Sequence, residues 1–297
     1  VCTEHKYENG VCAICKAECP HANVDTSTRV CSDCRLTMVA AVTVKDSENN
    51  DVTTYTADLA AAMNNAADGT TFTLLADVTL NERIEVADKT AKTLTLDLQD
   101  HTIHSAKFAV GELNIGDGTA GTLKITGTGS LLDQSFILVW EDGALDLTGW
   151  SGGTIDSVRL GYNNKGSVAG KSEPQITVGA DAGRIGSLEF RNWYVSSISA
   201  STLEGGSYDQ ITMNTDQQSV KIENLLQTGY AFQKDDGTLE KRITAIADRG
   251  AISNVSVVKC TAHETEGESA NCIYCNANAA ADAAAKVQTK DGRTVYC

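Results

Sequence analysis

All ten cysteines of this chain lie towards its two ends: Cys2, Cys12, Cys15, Cys19, Cys31 and Cys34, then Cys260, Cys272, Cys275 and Cys297, with none between Arg35 and Lys259. That segregation predicts cysteine-rich end modules flanking a separate domain that holds itself together by packing. At 297 residues the chain is too long for a single disulfide-stapled miniprotein. The order of residues within the clusters repeats. The first reads Cys2-x2-His5-x6-Cys12-x2-Cys15, the second Cys19-x-His21-x9-Cys31-x2-Cys34, and the third Cys260-x2-His263-x8-Cys272-x2-Cys275.

Three thiols and one imidazole are the ligand set of a closed tetrahedral zinc site, with the Cys-x-x-Cys knuckle placing two sulfurs on one ion. The spacing therefore predicts three structural zinc ions. A disulfide framework is the alternative, and an even count of cysteines allows it, but it has no use for a histidine at an equivalent place in each cluster. No βαβ pattern surrounds the Cys-x-x-Cys pairs, which argues against a redox role. Cys297 is left over under the zinc reading, as a free thiol or the first member of a truncated pairing. Residues 1–35 carry five acids (Glu4, Glu8, Glu18, Asp25, Asp33) against four bases (Lys6, Lys16, Arg29, Arg35), so no basic stripe marks a nucleic-acid finger.

The whole chain carries a formal net charge of -15, which repels phosphate backbones and anionic lipid. No stretch approaches the ~20 apolar residues that span a bilayer. Val1 opens directly onto Cys2 without a basic-then-apolar leader, which reads as a mature or excised piece. With 5% aromatics, two prolines and 25 glycines, the core must be aliphatic and the turns must rely on Gly, Asn and Asp. That profile suits repetitive β structure.

Residues 56–67 read as a helix, with Thr56 as N-cap, Leu59 and Met63 on one face, and Asp68-Gly69 as the stop. Beyond it the period changes to two, in Leu94-Thr95-Leu96-Asp97-Leu98, Leu123-Lys124-Ile125, Leu145-Asp146-Leu147, Ile176-Thr177-Val178, Ile211-Thr212-Met213 and Val220-Lys221-Ile222. Two interleaved aliphatic tracks recur about every 20 residues: Leu96, Ile115, Leu138, Val158, Val178, Ile198 and Ile222, and Ile84, Ile103, Ile125, Leu147, Val168, Leu188 and Ile211. They predict a parallel solenoid from about Thr71 to Ile222 with the helix covering its N-terminal end. A β-sandwich, with hairpin turns every 8 to 12 residues, is the runner-up.

Lys286-Val287-Gln288-Thr289-Lys290-Asp291 and Thr294-Val295-Tyr296 follow the last Cys-x-x-Cys much as Ala41-Val42-Thr43-Val44-Lys45-Asp46 and Val52-Thr53-Thr54-Tyr55 follow Cys34. The division expected is residues 1–36 as two Cys/His modules, 37–258 as the solenoid, 259–276 as the third module, and 277–297 as a linker with the start of a next tandem repeat.

Tyr55-Thr56-Ala57-Asp58-Leu59 through Ala66-Ala67-Asp68-Gly69, Leu74-Leu75-Ala76-Asp77-Val78, and Leu94-Thr95-Leu96-Asp97-Leu98-Gln99-Asp100-His101-Thr102-Ile103 resemble the opening coils of pectin-lyase-like, right-handed β-helix domains of large Gram-positive surface adhesins. The resemblance covers residues 40–130 in sequence and the remainder by pattern. It implies a mainly β, right-handed parallel β-helix with an N-terminal capping helix and small Cys/His zinc-binding modules at both ends. It also implies secretion and display on the cell wall but fixes no ligand. A host glycoprotein or glycan, such as mucin or immunoglobulin, is the partner expected from the niche of that family, and neighbouring repeats of the same chain are expected from the repeated segment near Val287.

Catalysis on such a fold needs convergent carboxylates. Asp97, Asp100, Asp133, Glu141, Asp142, Asp146 and Asp156 form no dense local pattern, so a non-enzymatic unit is expected. A carbohydrate-active lyase or hydrolase and an inert spacer are the alternatives. Trp140, Trp150, Arg191, Trp193 and Tyr194 are the candidate ligand-binding residues, because aromatics beside arginine favour interface hot spots.

Overall fold

The computed structural model describes residues 5–87, 90–105, 113–115, 119–161, 172, 174–190, 201–213, 222–242, 250–261, 263–267, 269–279, 287–290 and 293–296. It is a mainly β chain built as a parallel solenoid. One eight-stranded sheet runs in the order Thr202–Leu203, Gln175–Val178, Gly143–Trp150, Gly121–Gly127, Lys92–Asp97, Thr71–Leu74, Ala40–Lys45 and Asp51–Thr56. A ten-stranded sheet includes the path Tyr230–Lys234, Ala251–Lys259, Ser207–Met213, Arg184–Phe190, Thr154–Leu160, Ser130–Val139, Thr102–Ser105 and Val78–Leu80. Two short strands, Ile84–Val86 and Leu113–Ile115, pair in parallel beside Ser130–Val139.

Alternation within each strand sends one set of side chains inward, and parallel register stacks that set from rung to rung. In the first sheet Leu94, Leu123, Leu145 and Ile176 form one inward ladder. In the second, Val78, Ile103, Leu131, Ile155, Ile185 and Tyr208 form another, and every member of both is buried. The outward face of the first sheet carries a ladder of polar side chains, mostly threonine, Thr53, Thr43, Thr71, Thr95, Lys124, Asp146, Thr177 and Thr202.

The rung spacing differs from the expected 20 residues. Stacked partners lie between 21 residues apart, as in Ile137 and Val158, and 31 apart, as in Leu145 and Ile176. Leu96 stacks on Ile125, which belongs to the other expected track, while Ile115 lies in the second sheet. Inward positions of both sheets are aliphatic, so a track drawn through the sequence crosses from one sheet to the other. Ile198 and Val168 lie outside the described residues, and Ile222 opens a short 3-10 turn.

The helix is also shorter than expected, Leu59–Asn64, and Asp58 rather than Thr56 is its N-cap, accepting from the amide of Ala61 at 3.0 Å. Thr56 ends a strand instead, and its hydroxyl accepts from the amide of Asp58. Leu59, Ala60 and Met63 are buried in the main core. The edge of the first sheet is covered by the antiparallel hairpin Ala40–Lys45 and Asp51–Thr56 rather than by this helix. At the other end Ala251–Lys259 joins Ser207–Met213 antiparallel, and Tyr230–Lys234 joins it in turn. At each end of the parallel stack one of the two sheets thus finishes in antiparallel strands, the first sheet at the N-terminal end and the second at the C-terminal end.

Candidate metal centres

Each Cys-x-x-Cys sits in the same backbone turn. The amide of its first cysteine donates to the carbonyl five residues on, in Cys12 to Ala17, Cys31 to Leu36 and Cys272 to Ala277, at 2.8, 2.9 and 2.8 Å. The carbonyl of that cysteine accepts from the residue after the second one, Lys16, Arg35 or Asn276. Those three residues hold φ of 61, 65 and 58°, the left-handed turn that brings the chain back. A closing bond then runs from the amides of Cys19, Met38 and Ala279 to the carbonyls of Gly10, Arg29 and Ala270. In the first two modules a short hairpin precedes this turn, Tyr7–Glu8 with Val11–Cys12 and Val24–Asp25 with Val30–Cys31.

The turns gather the expected ligands. His5, Cys12 and Cys15 converge, as do Cys19, His21, Cys31 and Cys34, and Cys260, His263, Cys272 and Cys275, with ligand atoms in each group within 4.8 Å of one another. Cys2, the remaining expected ligand of the first site, and Cys297 lie outside the described residues. Nδ1 of His5, His21 and His263 stands 3.3 Å from Sγ of Cys15, Cys34 and Cys275 respectively. Sγ of Cys19 is 3.8 Å from Cys31, and Sγ of Cys260 is 4.0 Å from Cys272.

Sulfurs bound at about 2.3 Å to a tetrahedral ion stand about 3.8 Å apart, and a sulfur and a nitrogen about 3.5 Å. A disulfide would bring two sulfurs to about 2.05 Å. The separations therefore match a shared ion, and the eight described cysteines are unbridged.

The electrostatics favour thiolates at the first cysteine of each knuckle. Amides of Cys15 and Ile14 and the His5 imidazole hydrogen-bond Cys12 and lower its thiol to about 6, against a smaller opposing effect of desolvation. At Cys31 and Cys272 burial is the largest single influence and opposes ionisation, yet amides of Cys34 and Asp33, and of Tyr274 and Cys275, together with His21 and His263, bring them to about 7 and 6. Burial pushes the leading cysteines Cys19 and Cys260 up to about 12, so an ion is what would hold these sulfurs ionised.

The second and third sites are built into the solenoid. Cys19, Cys31, Cys34 and Met38 form one buried cluster with Tyr55, Ala57 and Leu75 of the solenoid against it, and the Arg29 guanidinium donates to the Leu75 carbonyl. At the other end Cys260, Cys272 and Cys275 cluster with Ala231 and Leu239. There the Gly229 amide donates to the Cys275 carbonyl at 2.9 Å, and the Cys260 amide to the Gly229 carbonyl at 2.8 Å.

The candidate ligand-binding residues are not brought together in the described residues. Trp140 is half-buried in the turn after Ser130–Val139. Trp150 is 1% exposed, with Nε1 donating to the Gly129 carbonyl at 2.9 Å, so its indole packs the core and presents no face to a partner. Arg191, Trp193 and Tyr194 lie outside the described residues.

Asp97 accepts from Gln99 and Asp146 from Thr148, each two residues along the chain. Two histidine–carboxylate pairs escaped the sequence reading. His104 pairs with Asp133 of the next rung, and His101 Nδ1 lies 3.6 Å from Asp77 Oδ1 of the preceding one. Rung register, which a single sequence hides, makes these partners. The left-handed residues were legible in principle, since Lys16, Arg35 and Asn276 all follow a Cys-x-x-Cys. No family model, curated protein or solved structure matches the chain, so its own geometry carries the assignment.

Proposed function

We propose that the chain is a zinc-clamped binding and display unit of a bacterial cell surface, akin to the pectin-lyase-like adhesin domains that its opening coils resemble. The observation supporting it is that a buried Cys/His cluster is packed against each end of the solenoid. Zn²⁺ suits three thiolates and one imidazole at tetrahedral spacing, and it holds small modules in shape without redox chemistry. A solenoid fixed at both ends keeps its orientation within a chain of units and leaves an extended lateral surface for a large partner. The partner is a host secreted or surface glycoprotein, such as mucin or immunoglobulin, or a glycan on it. The chain performs no catalysis in this reading, since Asp97 and Asp146 are engaged by the amides two residues after them.

Arrays of host glycans and glycoproteins should yield at least one saturable ligand. Trp140→Ala or Trp193→Ala should then weaken binding by about 2 kcal/mol or more, the scale of a hot spot, with a smaller change in stability. Cleavage of an acidic polysaccharide, lost in Asp97→Asn, Asp146→Asn or Asp156→Asn, would replace this reading with an enzyme. The second reading is an inert spacer, favoured by the burial of Trp150 and the mostly threonine outward ladder of the first sheet, which presents no aromatic. Silence across the whole panel would establish it.

A further inference from the structure

We infer that the first two metal sites are a coupled pair loaded in a fixed order, in which the second site is organised on the solenoid and the first is an exchangeable site whose affinity depends on it. This rests on the metal reading above and adds a regulation to it.

Three contacts join the two knuckles. The amide of Cys19 closes the first knuckle on the Gly10 carbonyl at 2.7 Å, while its sulfur belongs to the second site, 3.8 Å from Cys31 Sγ. The equivalent closing residues of the other knuckles are Met38 and Ala279, which are not ligands. Here the residue that finishes one site begins the next.

Gly10 is buried at φ 81°, and a Cβ placed there would stand 2.9 Å from Leu36 Cδ1, so the hairpin turn of the first knuckle rests directly on the second. Tyr7 packs against Cys19, Cys31, Cys34 and Met38, and its ring stacks on the His5 imidazole with centroids 5.5 Å apart. A ligand of the first site thereby leans, through Tyr7, on the buried cluster that contains the cysteines of the second.

The support is unequal. The second site's cysteines are buried, and Met38 and Arg29 tie its knuckle to the solenoid. His5 and Cys15 are exposed. A cleft of about 590 Å³ lies between Val11 and Glu18 of the first knuckle and Val42, Thr54 and Ala62 of the solenoid. The first knuckle therefore takes its footing from the second. For a module with no core of its own, metal binding and folding are one equilibrium. Ordering Cys19, Leu36 and the Tyr7 contact in advance removes part of its cost. By linkage, the first site strengthens the second by the same factor.

The test uses the full chain loaded with zinc, a competing chelator, and thiol alkylation read by peptide mass spectrometry, which reports each site separately. Rising chelator should expose Cys12 and Cys15 before Cys31 and Cys34. Cys34→Ser should weaken zinc binding at the first site by about tenfold or more, with Cys272 and Cys275 protected as before. Tyr7→Ala, which removes no expected ligand, should weaken the first site and reduce its dependence on the second. Unchanged first-site affinity in both variants, or loss of the second site before the first, would overturn the inference while leaving the metal reading intact. A wild-type chain that binds no zinc would remove the metal reading itself.

Discussion

Replacing Cys272 by Ser should release the C-terminal end of the solenoid, with rapid hydrogen exchange in residues 230–234 and 251–259 while residues 92–97 and 121–127 stay protected. Cys272 is 3% exposed, and its sulfur collects the amides of Tyr274 and Cys275 and the His263 imidazole. A serine hydroxyl cannot serve as a thiolate ligand. Apparent zinc binding in small modules is about 10–16 kcal/mol, and it is folding free energy where no other core exists. That exceeds or matches the whole stability of an ordinary domain, about 5–15 kcal/mol, so the knuckle has nothing of similar size to replace it. Its loss reaches the solenoid because Gly229, Ala231 and Leu239 are organised by the same cluster. Chelation of the wild-type chain should reproduce the pattern and, in addition, loosen residues 40–45 and 51–56. Protection unchanged by both treatments would mean that the antiparallel strands hold the ends without the metal.

The second large effect lies inside the stack. At one corner of the solenoid Gly129, Gly153 and Gly183 occupy successive rungs. A Cβ on Gly153 would stand 1.9 Å from the Gly129 carbonyl oxygen, and a Cβ on Gly183 would stand 2.1 Å from that of Gly153. These obstacles are backbone atoms, which cannot rotate away, so even one methyl group forces the rungs apart. Gly153→Ala should lower stability by about 3 kcal/mol, the upper range for overpacking. Gly152→Asn next door should cost less than about 1 kcal/mol, because φ is 71° there, nothing lies within 4 Å, and Asn tolerates the left-handed region. Urea midpoints at fixed zinc concentration check both. Equal effects would show that the corner can open without cost.

The metal ligands were legible because each cluster is local: His21 lies just before one short hairpin, Cys31 ends it, and Cys34 lies in the turn that follows. The solenoid was legible as a class, since alternation marks inward residues such as Leu94 and Leu96 wherever the strand lies. Its period was not, because neighbouring rungs are joined by loops of unequal length. The antiparallel ends were hidden for a related reason: nothing local in Ala251–Lys259 says that it runs against Ser207–Met213.

Trp150 illustrates a finer limit. Strict alternation from Leu147 would turn it outward, but the register against Gly121–Gly127 slips by one residue between Lys124 and Thr126. Thr148 and Gly149 consequently both face out, and Trp150 turns in. A β-bulge of this kind re-aims a side chain with no signature in composition.

Metal content and thiol count, measured together on the purified full chain by elemental analysis and quantitative alkylation after denaturation, test the central claim most directly. Three zinc ions per chain and no disulfide among Cys12, Cys15, Cys19, Cys31, Cys34, Cys260, Cys272 and Cys275 are the expected result. A chain with no bound metal and those cysteines joined in pairs would contradict it.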